Sequence, residues 1–159
     1  MKVAIIGCGN IGSKRAIAIS KNKKTKIEYI VGRKKKLQKK DYLANTIAKK
    51  LNITYSTDRA KVISSKIDSV ILSTQPDLFL TIGKEILKQK KHLLIEKPLG
   101  LNSKEASELV RLAKKNKVFL KTGFNLRFDD GIILAKKLLT KKNIGKIYFV
   151  KIEYVNGTA

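Results

Sequence analysis

Val3-Ala4-Ile5-Ile6-Gly7-Cys8-Gly9-Asn10-Ile11-Gly12, running into a helix-forming stretch over 13–20, decides the fold. Four apolar residues read as a strand, and glycines spaced G-x-G-x-x-G open the helix behind it. Gly7 permits a tight turn off the strand, Gly9 lets the backbone approach a pyrophosphate, and Gly12 lets helix and sheet pack closely. The free N–H groups and positive dipole end of that helix then face the phosphates. The spacing therefore predicts a dinucleotide site at Gly7, Gly9, Asn10, Ile11 and Gly12.

The pattern continues down the chain. Strands are expected over 26–31, 53–55, 67–73, 92–95 and 118–122, and helices over 39–51, 77–90 and 103–116. Ser103 reads as the N-cap of the last helix, with Leu109, Leu112 and Ala113 on one face. Apolar, β-branched strands buried on both faces and separated by helices imply an α/β fold of the Rossmann type, a doubly wound parallel sheet over 1–123. From 124 to 159 the character changes: a helix is expected over 131–140, then an alternating strand over 145–154 with Tyr148, Val150, Ile152 and Tyr154 on one face. Such a strand wants a partner. The segment reads as the beginning of a truncated α+β substrate or oligomerisation domain, and the full-length form as a homo-oligomer.

Composition bounds the partners. A chain of 159 residues holds one domain and little more. The net charge of +24 invites a nucleic-acid reading. Against it, the positive charge is almost all Lys, with Arg only at 15, 33, 59, 111 and 127, whereas base-edge and bidentate phosphate recognition favours Arg. Aromatics make up 6% with no Trp, so stacking platforms are scarce. Lys is also spread along the whole chain and reads as the default solvated residue; a basic nucleic-acid-associated protein on the same scaffold is the remaining alternative class. No apolar run reaches the ~18 residues of a membrane span, Met1-Lys2 leads straight into a strand, and one Cys makes no internal disulfide. These features read as a cytoplasmic protein with no membrane partner and no metal site.

The end of the second strand bears on cofactor choice. An Asp or Glu is expected about 20 residues past the glycines to hold the ribose hydroxyls of NAD; this chain has Gly32-Arg33-Lys34-Lys35. An acid there repels a 2′-phosphate, whereas Gly32 makes room and Arg33 binds one bidentately, with Lys34 or Lys35 adding charge. NADP(H) is thus expected over NAD(H). The competing reading of Lys34, Lys35 and Lys36 is a solvated run. Cys8, between the glycines, reads as a small apolar filler without a redox role.

Glu96-Lys97-Pro98 at the end of a strand, with the glycine turn, Ile67-Asp68-Ser69-Val70 leading to Thr74, and Gly123-Phe124-Asn125-Leu126-Arg127-Phe128, resembles the family of glucose-fructose oxidoreductase, inositol dehydrogenase and rhizopine-catabolism proteins (Gfo/Idh/MocA). The resemblance implies an NAD(P)-dependent enzyme that oxidises or reduces a hydroxyl/carbonyl pair on a sugar, cyclitol or related polyol. It implies that Lys97 is the motif lysine, beside the nicotinamide and bonded to the reacting oxygen, and that Thr74 and Glu96 belong to the cofactor site, Glu96 restraining the Lys97 amine. An ammonium beside a developing alkoxide stabilises it, and Pro98 fixes the backbone just after it. Where members show Pro-Asn-x-x-His, this chain has Gln75-Pro76-Asp77-Leu78-Phe79 and no histidine, so that residue's contact is missing. The family's acid/base His belongs to the second domain; His92 lies mid-strand and reads as packing. A truncated dinucleotide-binding module without turnover is the alternative within the same fold.

Overall fold

The computed structural model describes residues 1–33, 39–140 and 145–153. Strand β1 (Lys2–Ile6) is the axis on which the rest is laid. Side chains alternate across a strand, so Val3 and Ile5 enter one apolar cluster and Ala4 and Ile6 another. Both faces of β1 are therefore covered, which is why its sequence is continuously apolar rather than alternating.

Strands β2 (Lys26–Val31), β3 (Thr54–Ser56), β4 (Ser69–Leu72), β5 (His92–Ile95) and β6 (Leu120–Thr122) join β1 in one sheet of order β3-β2-β1-β4-β5-β6. Every pairing is parallel. Helices α1 (Asn10–Ser20) and α2 (Lys39–Lys50) cover one face; α3 (Arg59–Ser64), α4 (Phe79–Lys88) and α5 (Ser103–Lys115) cover the other. On α4, Phe79, Ile82, Gly83, Ile86 and Leu87 are buried, the i, i+3, i+4, i+7, i+8 stripe of a helix lying on a sheet. The strand order reverses between β1 and β4, and the expected doubly wound parallel sheet is the observed one.

Local departures have local causes. The helix after the fourth strand starts at Phe79, behind a short 3-10 turn over Pro76–Leu78. The cap of α5 is Asn102 and not Ser103: the Asn102 side chain accepts from the Glu105 N–H at 3.0 Å, and the Glu105 carboxylate accepts from the Leu101 N–H at 2.8 Å. Helix α3, which spans a single apolar pair, Val62-Ile63, was not expected. Asp58 caps it, accepting from the Lys61 N–H at 3.0 Å.

The chain divides into two units, Met1–Gly123 and Phe124–Ala159. In the second, a 3-10 turn over Asn125–Phe128 leads into α6 (Asp130–Thr140). The strand expected over 145–154 is not formed across the described residues 145–153. A strand takes its hydrogen bonds from a neighbour, and no described residue pairs with this segment; Tyr148, Val150 and Ile152 are exposed, and Tyr154 lies outside the described residues.

Candidate functional site

The parallel register brings the carboxyl ends of β1 and β4 side by side, Ile6 opposite Leu72. In open α/β sheets the crevice at such a reversal of strand order is where ligands bind. Gly7 leaves β1 with φ +86, and its N–H donates to the Val31 carbonyl at 3.2 Å. A Cβ on Gly7 would stand 2.7 Å from the Ser73 carbonyl group and the Thr74 nitrogen; one on Gly12 would overlap the Gly7 carbonyl oxygen. These two glycines are required by the turn itself. Gly9 is different: a Cβ there would meet none of the described residues within 4 Å. The space beside Gly9 is open cleft.

Gly9 is the extended N-cap of α1, and among the described residues no side chain caps the helix. The leading N–H groups of α1 therefore point into the cleft without a side-chain partner. Ser13, inside the first turn, donates to the Gly9 carbonyl at 2.8 Å and lies 3.6 Å from the Cys8 sulfur. Burial pushes the Cys8 thiol above its ordinary range, and the Ser13 hydrogen bond offsets part of that.

The cleft is a cavity of about 710 Å³. One wall is the turn from Gly7 to Ile11; a second is Gly32 and Arg33 at the end of β2; a third is Thr57, Asp58 and Arg59 after β3; the last is Ser73, Thr74 and Gln75 after β4. The Ser73 hydroxyl is buried with no hydrogen-bond partner among the described residues, while the Thr74 hydroxyl donates to the Gln75 carbonyl at 3.3 Å. Arg33 is exposed. Lys34 and Lys35 lie outside the described residues.

Of the residues singled out in the sequence, Gly7, Gly9, Asn10, Ile11, Arg33 and Thr74 line this cavity, with Gly12 packed beneath the turn. Glu96 and Lys97, just beyond β5, are not in its wall. Lys97 is exposed and joined to Pro98 by a cis peptide.

Two expectations need correction. Glu96 does not restrain the Lys97 amine: its carboxylate pairs with the guanidinium of Arg15 on α1, both side chains being largely buried. The expectation that Gly32 makes room is narrowed: the Tyr55 ring fills the side on which a Cβ would stand, while Gly32 itself lines the cavity. Counted from Pro76, the histidine of Pro-Asn-x-x-His falls at Leu80 and not at Phe79; Leu80 is partly buried against the core cluster in which Phe79 is 1% exposed. His92 is structural, its Nδ1 accepting from the Phe119 N–H at 3.0 Å and its ring 5.2 Å from that of Phe119.

Sequence reading missed Ser73, Asp58, Arg59 and Arg15. Asp58 before Val62-Ile63 carried a cap signal; Arg59 is held by two 2.9 Å hydrogen bonds to Glu85, a pairing across 26 residues that no local pattern marks. Among the described residues no cluster of His, Cys, Asp or Glu could hold a metal ion, and no helix is long and apolar enough to cross a membrane.

Comparison with known proteins agrees with this architecture. Residues 1–124 match the model of an oxidoreductase family with an NAD-binding Rossmann fold. Myo-inositol 2-dehydrogenase of Thermotoga maritima is 28% identical over 156 residues, 96% of this chain and 44% of that protein. The crystal structure of a probable dehydrogenase from Thermotoga maritima superposes with a TM-score of 0.82 at 27% identity, over 92% of this chain and 43% of the other. Scyllo-inositol dehydrogenase from Lactobacillus casei, solved with bound NAD(H) and scyllo-inositol, shares the fold at a TM-score of 0.79 and 23% identity, over 91% of this chain and 42% of that one. The chain spans less than half the length of the curated relatives it matches. With the glycine turn, the reversal of strand order and the Glu96-Lys97-Pro98 strand end in place, this chain belongs to the Gfo/Idh/MocA oxidoreductase family.

Proposed function

We propose that this chain forms the cofactor-binding part of an NAD(P)-dependent dehydrogenase or reductase acting on a hydroxyl/carbonyl of a sugar, cyclitol or related polyol, and that it prefers NADP(H). The observation that carries the dinucleotide reading is the open space at Gly9 beside an α1 terminus without a side-chain cap. Residues required only by the fold would tolerate a Cβ at Gly9; a glycine facing open cleft is what a closely approaching pyrophosphate needs. The unpartnered, buried Ser73 hydroxyl on the opposite wall is a further polar group available to a ligand.

In this reading Asn10, Ile11 and Gly12 offer backbone N–H groups to the phosphates, helped by the helix dipole, and Thr74 flanks them. Arg33, exposed on the cavity wall, meets the adenosine ribose end and pairs bidentately with a 2′-phosphate, with Lys34 adding charge. A bound nicotinamide supplies the hydride acceptor or donor. Lys97 holds the proton at the reacting oxygen, stabilising negative charge as it develops there. Glu96 serves indirectly: the ion pair with Arg15 ties the Lys97 end of β5 to the cofactor helix.

Calorimetric titration tests the cofactor claim. NADPH is expected to bind more tightly than NADH, and Arg33→Ala to erase most of the difference, since a hydrogen bond to a charged group contributes roughly 1.5–3 kcal/mol, on the order of tenfold to a hundredfold. Equal affinities in the parent chain overturn it.

A further inference from the structure

Gly32 stands at the carboxyl end of β2, where a ribose-binding acid is expected. Its N–H still donates to the Ser56 carbonyl at 3.0 Å, so β2 and β3 remain joined there. A Cβ built on Gly32 would overlap the Tyr55 hydroxyl oxygen and lie 2.8 Å and 2.9 Å from ring atoms Cζ and Cε2, nearer than real Cβ atoms come to their neighbours. The obstacle is the ring as well as its tip. Tyr55 sits opposite Ile30 in the β2–β3 register, and its side chain packs against the core cluster that holds Ile30, Val3 and Ile5. A ring seated on that core cannot swing aside without uncovering apolar surface and opening a void.

We propose that Tyr55 is the specificity-determining residue for nucleotide choice: its ring takes the place of the ribose-binding acid, keeps position 32 a glycine, and leaves Arg33 as the side chain presented to the ribose substituent. Tyr55 acts by exclusion from behind the cavity wall. The proposal rests on the NADP(H) reading above and adds to it the reason an acid cannot be installed by one substitution.

The test places Gly32→Asp in the 159-residue chain in three backgrounds, parent, Tyr55→Phe and Tyr55→Ala, each compared with its own background. Thermal unfolding without ligand and calorimetric affinities for NADPH and NADH are read for each. In the parent, Gly32→Asp is expected to lower Tm by roughly 3–10 °C, the usual cost of overpacking in a domain of this size. Tyr55→Phe keeps that penalty, because Cζ and Cε2 remain, and Tyr55→Ala removes most of it. Only Gly32→Asp with Tyr55→Ala is expected to move the NADH/NADPH affinity ratio about tenfold or more toward NADH. Equal Tm penalties in all three backgrounds, failure of the doubly substituted chain to fold where Tyr55→Ala alone folds, or a full change of preference from Gly32→Asp alone each overturn the proposal. The two readings fail differently. If neither dinucleotide binds the parent, the cofactor reading falls and this one with it; if NADPH binds the parent and the doubly substituted chain keeps that preference, the role of Tyr55 alone is refuted.

Discussion

At the scale of single residues, the three motif glycines do different work, and substitution separates them. Gly7 has a positive φ and no space, its would-be Cβ 2.7 Å from backbone atoms at Ser73 and Thr74. Gly9 has ordinary backbone and open space. Gly7→Ala is therefore expected to destabilise the fold, since strained backbone alone costs of order 1–3 kcal/mol and here a backbone clash adds to it. Gly9→Val is expected to leave Tm within about 2 °C of the parent, as a substitution without a new clash does, while abolishing measurable dinucleotide binding by filling the approach to α1. Differential scanning calorimetry with and without NADPH reads both. A Gly9→Val chain that unfolds as readily as Gly7→Ala, or that binds NADPH as the parent does, contradicts this division of roles.

At the scale of elements, legibility follows sequence distance. The β1–turn–α1 unit was readable because strand, glycines and helix lie within 20 residues and each imposes a local rule. Helix α4 was readable from its period of apolar residues, yet its first turn was not, because Pro76 opens a 3-10 turn before Phe79. Helix α3 is six residues long, too short for a period to show. The alternation after Gly145 promised a strand, but alternation sets only which face is apolar; the ladder needs a partner elsewhere. The Arg15–Glu96 pair joins residues 81 apart, and the Tyr55 ring reaches Gly32 across two strands, so neither leaves a local trace. Capping belongs to this scale as well. Asn102 and Glu105 close the start of α5 reciprocally, and Asn102→Ala is expected to cost about 0.5–2 kcal/mol in chemical denaturation. Helix α5 contributes no wall to the cleft, so NADPH affinity should stay at the parent value. Loss of affinity together with stability would show that α5 and the cleft are coupled.

At the scale of the whole molecule, binding and turnover separate. The glycine turn, the α1 terminus and the Ser73–Gln75 wall lie within one unit, Met1–Gly123, and on the proposed reading they are enough to hold a dinucleotide. Hydride transfer asks for more, a substrate held against the nicotinamide and shielded from water. Lys97 is exposed, and every described residue from Phe124 onward is exposed as well. The curated relatives with dehydrogenase names are more than twice as long as the stretch they share with this chain. The 159-residue polypeptide is therefore expected to bind NADPH but to oxidise or reduce no sugar or polyol. A net charge of +24 attracts any anion at low ionic strength, so affinity must be compared between low and high salt: specific binding persists where non-specific attraction is screened. Lys97→Ala should leave that salt-resistant affinity within about fivefold of the parent, because its side chain is no part of the cavity wall and an exposed pairwise charge contributes at most ~1 kcal/mol. NADPH absorbance, followed with a panel of sugars, cyclitols and their ketones at high protein concentration, measures turnover directly. Turnover that disappears in Lys97→Ala would show that copies of the short chain complete one another's site, and would refute this separation of binding from catalysis.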